Sequence, residues 1–143
     1  MNRMESEASL KVLKGKRIAN RSFGGIIRFK DCNSEYQYLL VKQRHMGIWS
    51  FPKGHGHENE EHLDAAKREI YEETGLEIST NPIGRTRIKR GIYFIFDLLV
   101  KPNITTIPDT NEISEVKWCT LNEMKDLHGN SGIKLFVEKH KMK

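Results

Sequence analysis

Residues 54–76 read GHGHENEEHLDAAKREIYEETGL, and this stretch decides how the rest of the chain is interpreted. Its opening alternation of glycine and histidine predicts a loop, because glycine tolerates backbone conformations that other residues avoid. From about Glu61 to Thr74, apolar side chains recur at helical spacing, with Asn59 as the predicted N-cap and Gly75 at the C-terminal cap position. The stretch therefore predicts a glycine-rich loop that leads into an amphipathic helix.

The predicted helix carries an acidic cluster. Glu69, Glu72 and Glu73 stand at i, i+3 and i+4, so their carboxylates project from one side of the helix, where like charges repel. A solvated acidic face is one interpretation. Arg68 beside the cluster and Glu60 eight residues before it favour another, because a guanidinium can fix the rotamers of carboxylates. Several oxygens near a glycine loop are what a hard cation such as Mg²⁺ or Mn²⁺ binds.

The same stretch resembles the signature of the Nudix hydrolases: G, five residues, E, seven residues, R-E, an aliphatic residue, any residue, E-E, any residue, G and an aliphatic residue. The resemblance implies an α/β fold, an α/β/α sandwich around a mixed sheet. It also implies hydrolysis, dependent on Mg²⁺ or Mn²⁺, of a pyrophosphate bond in a nucleoside diphosphate linked to another group. The matching residues are Gly54, Glu60, Arg68, Glu69, Ile70, Glu72, Glu73, Gly75 and Leu76.

By this resemblance, Glu69, Glu72 and Glu73 are the catalytic carboxylates that hold the divalent ions. The carbonyl of Gly54 is a further ligand. Arg68 orients the glutamates from within the site, and Glu60 assists it.

A general base is expected outside this stretch. Glu112 follows a polar loop and opens a predicted strand, a place from which a side chain can reach the metal cluster. Its position resembles that of the second catalytic glutamate in mRNA-decapping and dinucleoside-polyphosphate members of the family. Glu115 is the alternative base, and an ordinary surface glutamate is the alternative interpretation of Glu112.

The remaining chain fits one domain spanning 1–143, with flexible ends expected at 1–21 and 138–143. Residues 31–34 predict a turn that joins two strands into a hairpin, and a further apolar strand is expected in the centre of the sheet. The predicted strands are Phe23–Phe29, Tyr36–Val41, Gly91–Val100 and Ile113–Trp118, with a short extended piece at Ile48–Phe51 and helices at Leu121–Leu127 and Gly132–His140.

The segment just before the helix suggests how substrate binds. Residues 47–54 (GIWSFPKG) resemble the corresponding segment of decapping enzymes and dinucleoside tetraphosphate hydrolases. Lys53 is predicted to contact a phosphate as a point charge. Trp49 either stacks on a base or cap or packs beneath the loop. Arg44 and His45 are weaker substrate candidates.

The chain carries a formal net charge of +5, which favours an anionic partner. Arg85, Arg87, Lys89 and Arg90 form a basic stretch that either contacts the body of an RNA or is a solvated surface, and lysines recur near the C-terminus. These lysines are Lys134, Lys139, Lys141 and Lys143.

Cysteine usage and hydropathy predict a soluble cytoplasmic protein with no membrane partner. Cys32 and Cys119 lack any disulfide or zinc spacing and are expected to be buried thiols in a reducing compartment. No apolar run is long enough to span a membrane, and no apolar leader is recognisable.

The leading substrate prediction is a capped or 5′-polyphosphorylated RNA, ahead of dinucleoside polyphosphates. Diphosphoinositol polyphosphates and oxidised nucleoside triphosphates follow. A regulatory or nucleic-acid-binding module that retains the fold is the alternative from a different class.

Overall fold

The structure, a computed structural model, describes residues 21–141. The strands are β1 (Ser22–Lys30), β2 (Tyr36–Gln43), β3 (Trp49–Ser50), β4 (Lys53–His55), β5 (Gly84–Ile88), β6 (Gly91–Leu98) and β7 (Ile113–Cys119). The helices are α1 (His62–Thr74), α2 (Leu121–Asp126) and α3 (Ser131–Lys141).

Within residues 21–141, the strands form one mixed sheet of seven members with the order β3-β2-β1-β6-β5. β1 and β6 run parallel in its centre, and the other pairings are antiparallel. β4 pairs with the start of β1, and β7 pairs with β2. The pairing of β4 attaches the residues that precede α1 to one end of the sheet.

Each face of the sheet is covered by helix. On one face, Ala66 and Ile70 of α1 pack against Phe23, Ile27 and Leu39. The opposite face carries α2 and α3, whose apolar residues pack with those of β2, β3 and β6, including Tyr38, Leu40, Trp49, Tyr93, Met124 and Phe136. Burial of these two apolar clusters is the main force that holds the layers together. The predicted α/β/α sandwich around a mixed sheet is confirmed.

Two expectations for the segment before α1 are wrong. Lys53–His55 is a short strand rather than part of a loop, because these residues pair with Ser22–Gly24 of β1. The N-cap of α1 is Glu61 in extended conformation, whereas Asn59 has a φ of 69° in the turn before it. The predicted C-terminal cap is confirmed: Gly75 has a φ of 80° and its N–H donates to the Tyr71 carbonyl at 2.7 Å.

Three further differences concern the outer parts of the fold. β5 went unpredicted because most of its side chains are exposed, so that the apolar alternation of a half-buried strand is weak. Cys32 is exposed in the β1–β2 turn, where the sequence predicted a buried thiol, while Cys119 is buried as expected. α3 spans Ser131–Lys141, one residue longer at each end than the predicted helix Gly132–His140.

The expectation of a flexible N-terminal end falls almost entirely outside residues 21–141. Between those two positions, none of the helices has the length and apolar character needed to cross a lipid bilayer.

Candidate active site

The site begins where β4 meets α1. Gly54 pairs with Phe23 at the edge of β1, and this pairing places its backbone against the side chain of Glu69. A Cβ atom at position 54 would overlap the Glu69 carboxylate. Because glycine has no Cβ atom, the Glu69 carboxylate can lie directly against the backbone of residue 54.

Arg68 organises the carboxylates of the helix. Its guanidinium donates to both oxygens of Glu60, at 2.8 and 3.0 Å, and to Glu69 Oε2 at 2.8 Å. It also donates to the carbonyl of His55 in β4 at 2.9 Å and reaches the Glu72 carboxylate at 3.4 Å. Hydrogen bonding to Glu60 is the main reason that the pKa of Arg68 is raised above its ordinary value. The guanidinium thus joins α1, β4 and the turn between them.

The partner carboxylates respond differently to Arg68. Its hydrogen bonds lower the pKa of Glu60 below the ordinary range. Burial is the larger effect on Glu69, whose pKa is raised even though Arg68 opposes the shift. The hydrogen bond from Arg68 therefore does not fully offset the cost of burying the negative charge of Glu69.

Glu73 is the most buried acid of the cluster, with 5% of its surface exposed. It accepts one hydrogen bond from the Lys53 backbone N–H at 3.2 Å. Burial raises its pKa to about 8, and the charges of Glu69 and Glu112 push in the same direction. A buried carboxylate with acidic neighbours is an uncompensated group that a cation would satisfy.

The donor set fits a hard divalent cation. Glu69, Glu72 and Glu73 offer carboxylate oxygens, and the backbone of Gly54 lies against the Glu69 carboxylate. Glu69 and Glu72 contact the Arg68 guanidinium, and no group of three His, Cys, Asp or Glu side chains between residues 21 and 141 has the arrangement of a metal cluster. The fit thus rests on the chemistry of the donors and on the uncompensated charge of Glu73.

Glu112 lies on the loop before β7 and is exposed, and its charge acts on Glu73. The loop is attached to α1 because the N–H of Asp109 donates to the Glu72 carbonyl at 2.9 Å. The side chain of Asp109 accepts from the Glu112 N–H at 3.3 Å. Glu115, the alternative base, is exposed on β7 opposite Lys42. Sequence reasoning missed Asp109, although an aspartate three residues before the glutamate is a recognisable turn signal.

The predicted substrate residues are placed in different environments. Lys53 lies next to Glu73, and its positive charge opposes part of the rise in the pKa that burial causes. Trp49 is only 6% exposed and packs in the core with Phe51 and Tyr93, which favours the packing alternative over base stacking. Arg44 donates to backbone carbonyls of the Glu112 loop. His45 is exposed on the β2–β3 connection.

The basic stretch lies on β5 and on the turn that follows it. Arg85 lies on the α1 side near His62, where its charge lowers the pKa of the imidazole after the larger effect of burial. Arg87 is two residues further along β5 and projects to the same face as Arg85, because alternate residues of a strand share a face. It also lies at the rim of a cavity of about 420 Å³ between α3 and the β5–β6 hairpin, which Lys89 in the turn lines as well. The same cavity has an apolar floor and additional cations, and its lining includes Ile26, Arg28, Ile88, Ile95, Phe136 and Lys139.

The α/β/α sandwich and the glutamate cluster that Arg68 organises beside Gly54 define the class: an α/β domain with an acidic site suited to a divalent cation. The family model described as NUDIX domain matches residues 24–139. The chain therefore belongs to the Nudix family. Nudix hydrolases generally use divalent metal ions.

Similar proteins share the fold or part of the sequence. The chain is 34% identical over 117 residues to mRNA-decapping enzyme subunit 2 of Arabidopsis thaliana, covering 69% of this chain and 30% of that protein. It is 62% identical over 43 residues to RNA pyrophosphohydrolase of Bartonella bacilliformis, covering 30% of this chain and 23% of that protein. It therefore spans less than a third of the length of these curated relatives.

Among solved structures, the binary complex of an Ap4A hydrolase from C. elegans superposes with a TM-score of 0.65 at 20% identity. The similarity covers 85% of this chain and 96% of that chain. At this identity the similarity shows the common fold.

Proposed function

We propose that the protein is a divalent-metal-dependent pyrophosphohydrolase. The observation that carries this proposal is the placement of Glu69 and Glu73, two carboxylates with raised pKa values, beside the backbone of Gly54 and Lys53. Such a concentration of poorly compensated negative charge is costly unless it serves a cation.

Mg²⁺ or Mn²⁺ is the proposed cation, held by Glu69, Glu72, Glu73 and the carbonyl of Gly54. When bound, the ion supplies positive charge that neutralises phosphate oxygens and makes a water molecule more acidic. Arg68 keeps Glu69 and Glu72 in place through its hydrogen bonds. Lys53 is proposed to contact a phosphate next to the cluster.

Glu112 is proposed as the general base. Water attacks one phosphorus of the pyrophosphate, and Glu112 accepts a proton from that water as the new bond between oxygen and phosphorus forms. The bond from phosphorus to the bridging oxygen breaks, and the leaving phosphate takes its electron pair. The proximity of Glu112 to Glu73 supports this role over Glu115, which is on the strand itself.

The proposed substrate is a capped or 5′-polyphosphorylated RNA. The named activities of the Arabidopsis and Bartonella relatives support it. The cavity bearing Lys89 and Lys139 supports it as well, because it combines cations for phosphates with an apolar floor for a base. The free thiols Cys32 and Cys119 fit a cytoplasmic location.

A dinucleoside polyphosphate is the second candidate. The segment from Gly47 to Gly54 resembles that of dinucleoside tetraphosphate hydrolases as well as that of decapping enzymes. In the structure this segment carries Lys53 to the acidic cluster. The segment therefore fits the polyphosphate part of either substrate.

Parallel hydrolysis assays with Mg²⁺ and with Mn²⁺ test the proposal. The substrates are cap-labelled RNA, 5′-triphosphorylated RNA, diadenosine tetraphosphate and the free cap dinucleotide, and Glu73→Gln is the inactive control. We expect release of the methylated nucleoside diphosphate from long RNA, or of pyrophosphate or phosphate from the triphosphorylated RNA, with little turnover of the free dinucleotide. Turnover of diadenosine tetraphosphate alone would contradict the RNA proposal, and no metal-dependent turnover of any substrate would contradict the enzymatic one.

A further inference from the structure

The loop that carries Glu112 lacks the regular strand pairing that usually fixes a backbone. β2 and β7 pair Lys42 with Glu115, but the next pair joins Gln43 to Ile113, so the register shifts at this point. Such an irregularity interrupts the ladder of hydrogen bonds and redirects neighbouring side chains. Glu112 lies immediately before it, where another means of fixing the backbone is needed.

Arg44 supplies hydrogen bonds on either side of Glu112. Its Nε donates to the carbonyl of Thr110 at 2.7 Å, and its Nη2 donates to the carbonyl of Ile113 at 3.4 Å. The backbone N–H of Arg44 donates to the carbonyl of Glu112 itself at 2.7 Å. One residue of the β2–β3 connection thus contacts the backbone before, at and after the proposed base.

The opposite end of the loop is fixed to the acidic helix. The Asp109 N–H donates to the Glu72 carbonyl at 2.9 Å, and the Ile113 N–H donates to the Asp109 carbonyl at 3.1 Å. The loop is therefore held between α1 and Arg44. The Asp109 contact fixes one end of the loop to the backbone of Glu72. Movement of the other end, where Arg44 binds, would therefore change the distance between Glu112 and the glutamates of α1.

We propose that Arg44 is a positioning residue, which fixes the position of Glu112 relative to the acidic cluster by binding the carbonyls of Thr110 and Ile113. This inference rests on the proposed role of Glu112 as the general base. It replaces the sequence-based expectation that Arg44 binds substrate. A guanidinium that contacts two carbonyls of the loop has fewer donors left for a phosphate.

A double-mutant cycle tests whether Arg44 acts through Glu112. The variants are Arg44→Ala, Glu112→Gln and the combination, assayed with cap-labelled RNA and with diadenosine tetraphosphate at saturating Mg²⁺. We expect Arg44→Ala to lower kcat by about ten-fold to a hundred-fold, because displacement of a reacting group by about 1 Å has effects of this size. KM should change less than about two-fold, with the same kcat loss for every substrate that is turned over.

In the Glu112→Gln background, Arg44→Ala should change kcat by less than about two-fold, since there is no base left to position. Lys125→Ala removes the same charge from the exposed face of α2 and serves as the matched control. Arg44→Lys, which keeps a single donor group, should lie between wild type and Arg44→Ala. Thermal unfolding checks that each variant is folded, and Arg44→Lys carries the cycle if Arg44→Ala is not.

A rise in KM with unchanged kcat would overturn the inference in favour of direct substrate contact. So would full multiplication of the Arg44 and Glu112 effects in the double variant. If Glu112→Gln loses activity but the Arg44 and Glu112 effects are independent, only the positioning role of Arg44 is refuted and the proposed base stands. Wild-type activity in Glu112→Gln instead refutes the proposed base, and with it the positioning role.

Discussion

The acidic cluster on α1 and the basic residues around β5 are constructed in opposite ways. Arg68 binds four partners from three segments and leaves the carboxylates little freedom. Arg87 and Lys89 are exposed side chains on and beside an edge strand. Attack on one phosphorus needs oxygens held in place, whereas attraction to a polyanion depends mainly on how many charges are near it.

This contrast predicts the largest loss of activity at Glu73. Glu73→Gln keeps the shape and can still accept from the Lys53 N–H, but it removes the charge that a cation needs. We expect kcat to fall by about a thousand-fold, corresponding to the several kcal/mol that metal-assisted charge stabilisation supplies. Steady-state hydrolysis of the substrate identified above measures the effect. Glu77→Gln, an exposed acid just beyond the helix, is the matched control and should retain full activity.

Arg68→Lys tests whether organisation, rather than charge, matters in the acidic cluster. Lysine keeps the positive charge but cannot place forked donors on Glu60, Glu69 and the His55 carbonyl at once. We expect kcat to fall by about ten-fold to a hundred-fold, the range found when groups that orient metal ligands are replaced. The Mg²⁺ concentration for half-maximal rate should rise as well. A variant with wild-type Mg²⁺ dependence would show that Arg68 contributes charge alone.

The pH dependence of stability measures the cost of burying the Glu73 carboxylate in its charged form. With the folded-state pKa of Glu73 raised to about 8 from an ordinary 4.5, the folded protein binds more protons than the unfolded chain between these values. The free energy of unfolding in the absence of metal should therefore fall as pH rises from about 4.5 to about 8, by an amount on the order of a few kcal/mol. Urea unfolding at several pH values measures this slope.

Two comparisons identify the source of that slope. Glu73→Gln should lose most of it and be more stable than wild type near pH 8, because no buried charge forms. Addition of Mg²⁺ near pH 8 should stabilise wild type more than the variant, by an amount that follows the ligand concentration. Equal slopes in the two proteins would show that Glu73 is not the titrating group.

The sequence predicted the acidic cluster of α1 because helical spacing alone brings Glu69, Glu72 and Glu73 to one side. The resemblance grouped Gly54 with these glutamates, but local spacing could not show how Gly54 is held against Glu69, because this depends on the pairing of β4 with β1, which lie about 30 residues apart in the chain. The role of Arg44 was hidden for a similar reason, since its acceptors lie 66 and 69 residues away.

The same limits explain the errors on the basic side. β5 is an edge strand with mostly exposed side chains, so its sequence lacks the apolar alternation that reveals a half-buried strand. Without that strand, the sequence could not show that Arg85 and Arg87 share one face of β5, nor that the β5–β6 turn brings Lys89 to the cavity under α3. Local patterns thus found the charges but not the surfaces on which they lie.

The smallest expected effects are those of the basic residues, and their signature is salt dependence rather than rate. Arg87→Ala and Lys89→Ala should each weaken binding of capped RNA a few-fold and reduce the slope of log affinity against log salt by about one unit if the side chain contacts a phosphate. Hydrolysis of diadenosine tetraphosphate should be little changed, and Lys125→Ala on α2 provides the charge-matched control. Filter binding across a salt series measures the slope. Slopes equal to that of wild type in both variants would mean that the cavity cations remain solvated, and the RNA path would then have to follow another face of the protein.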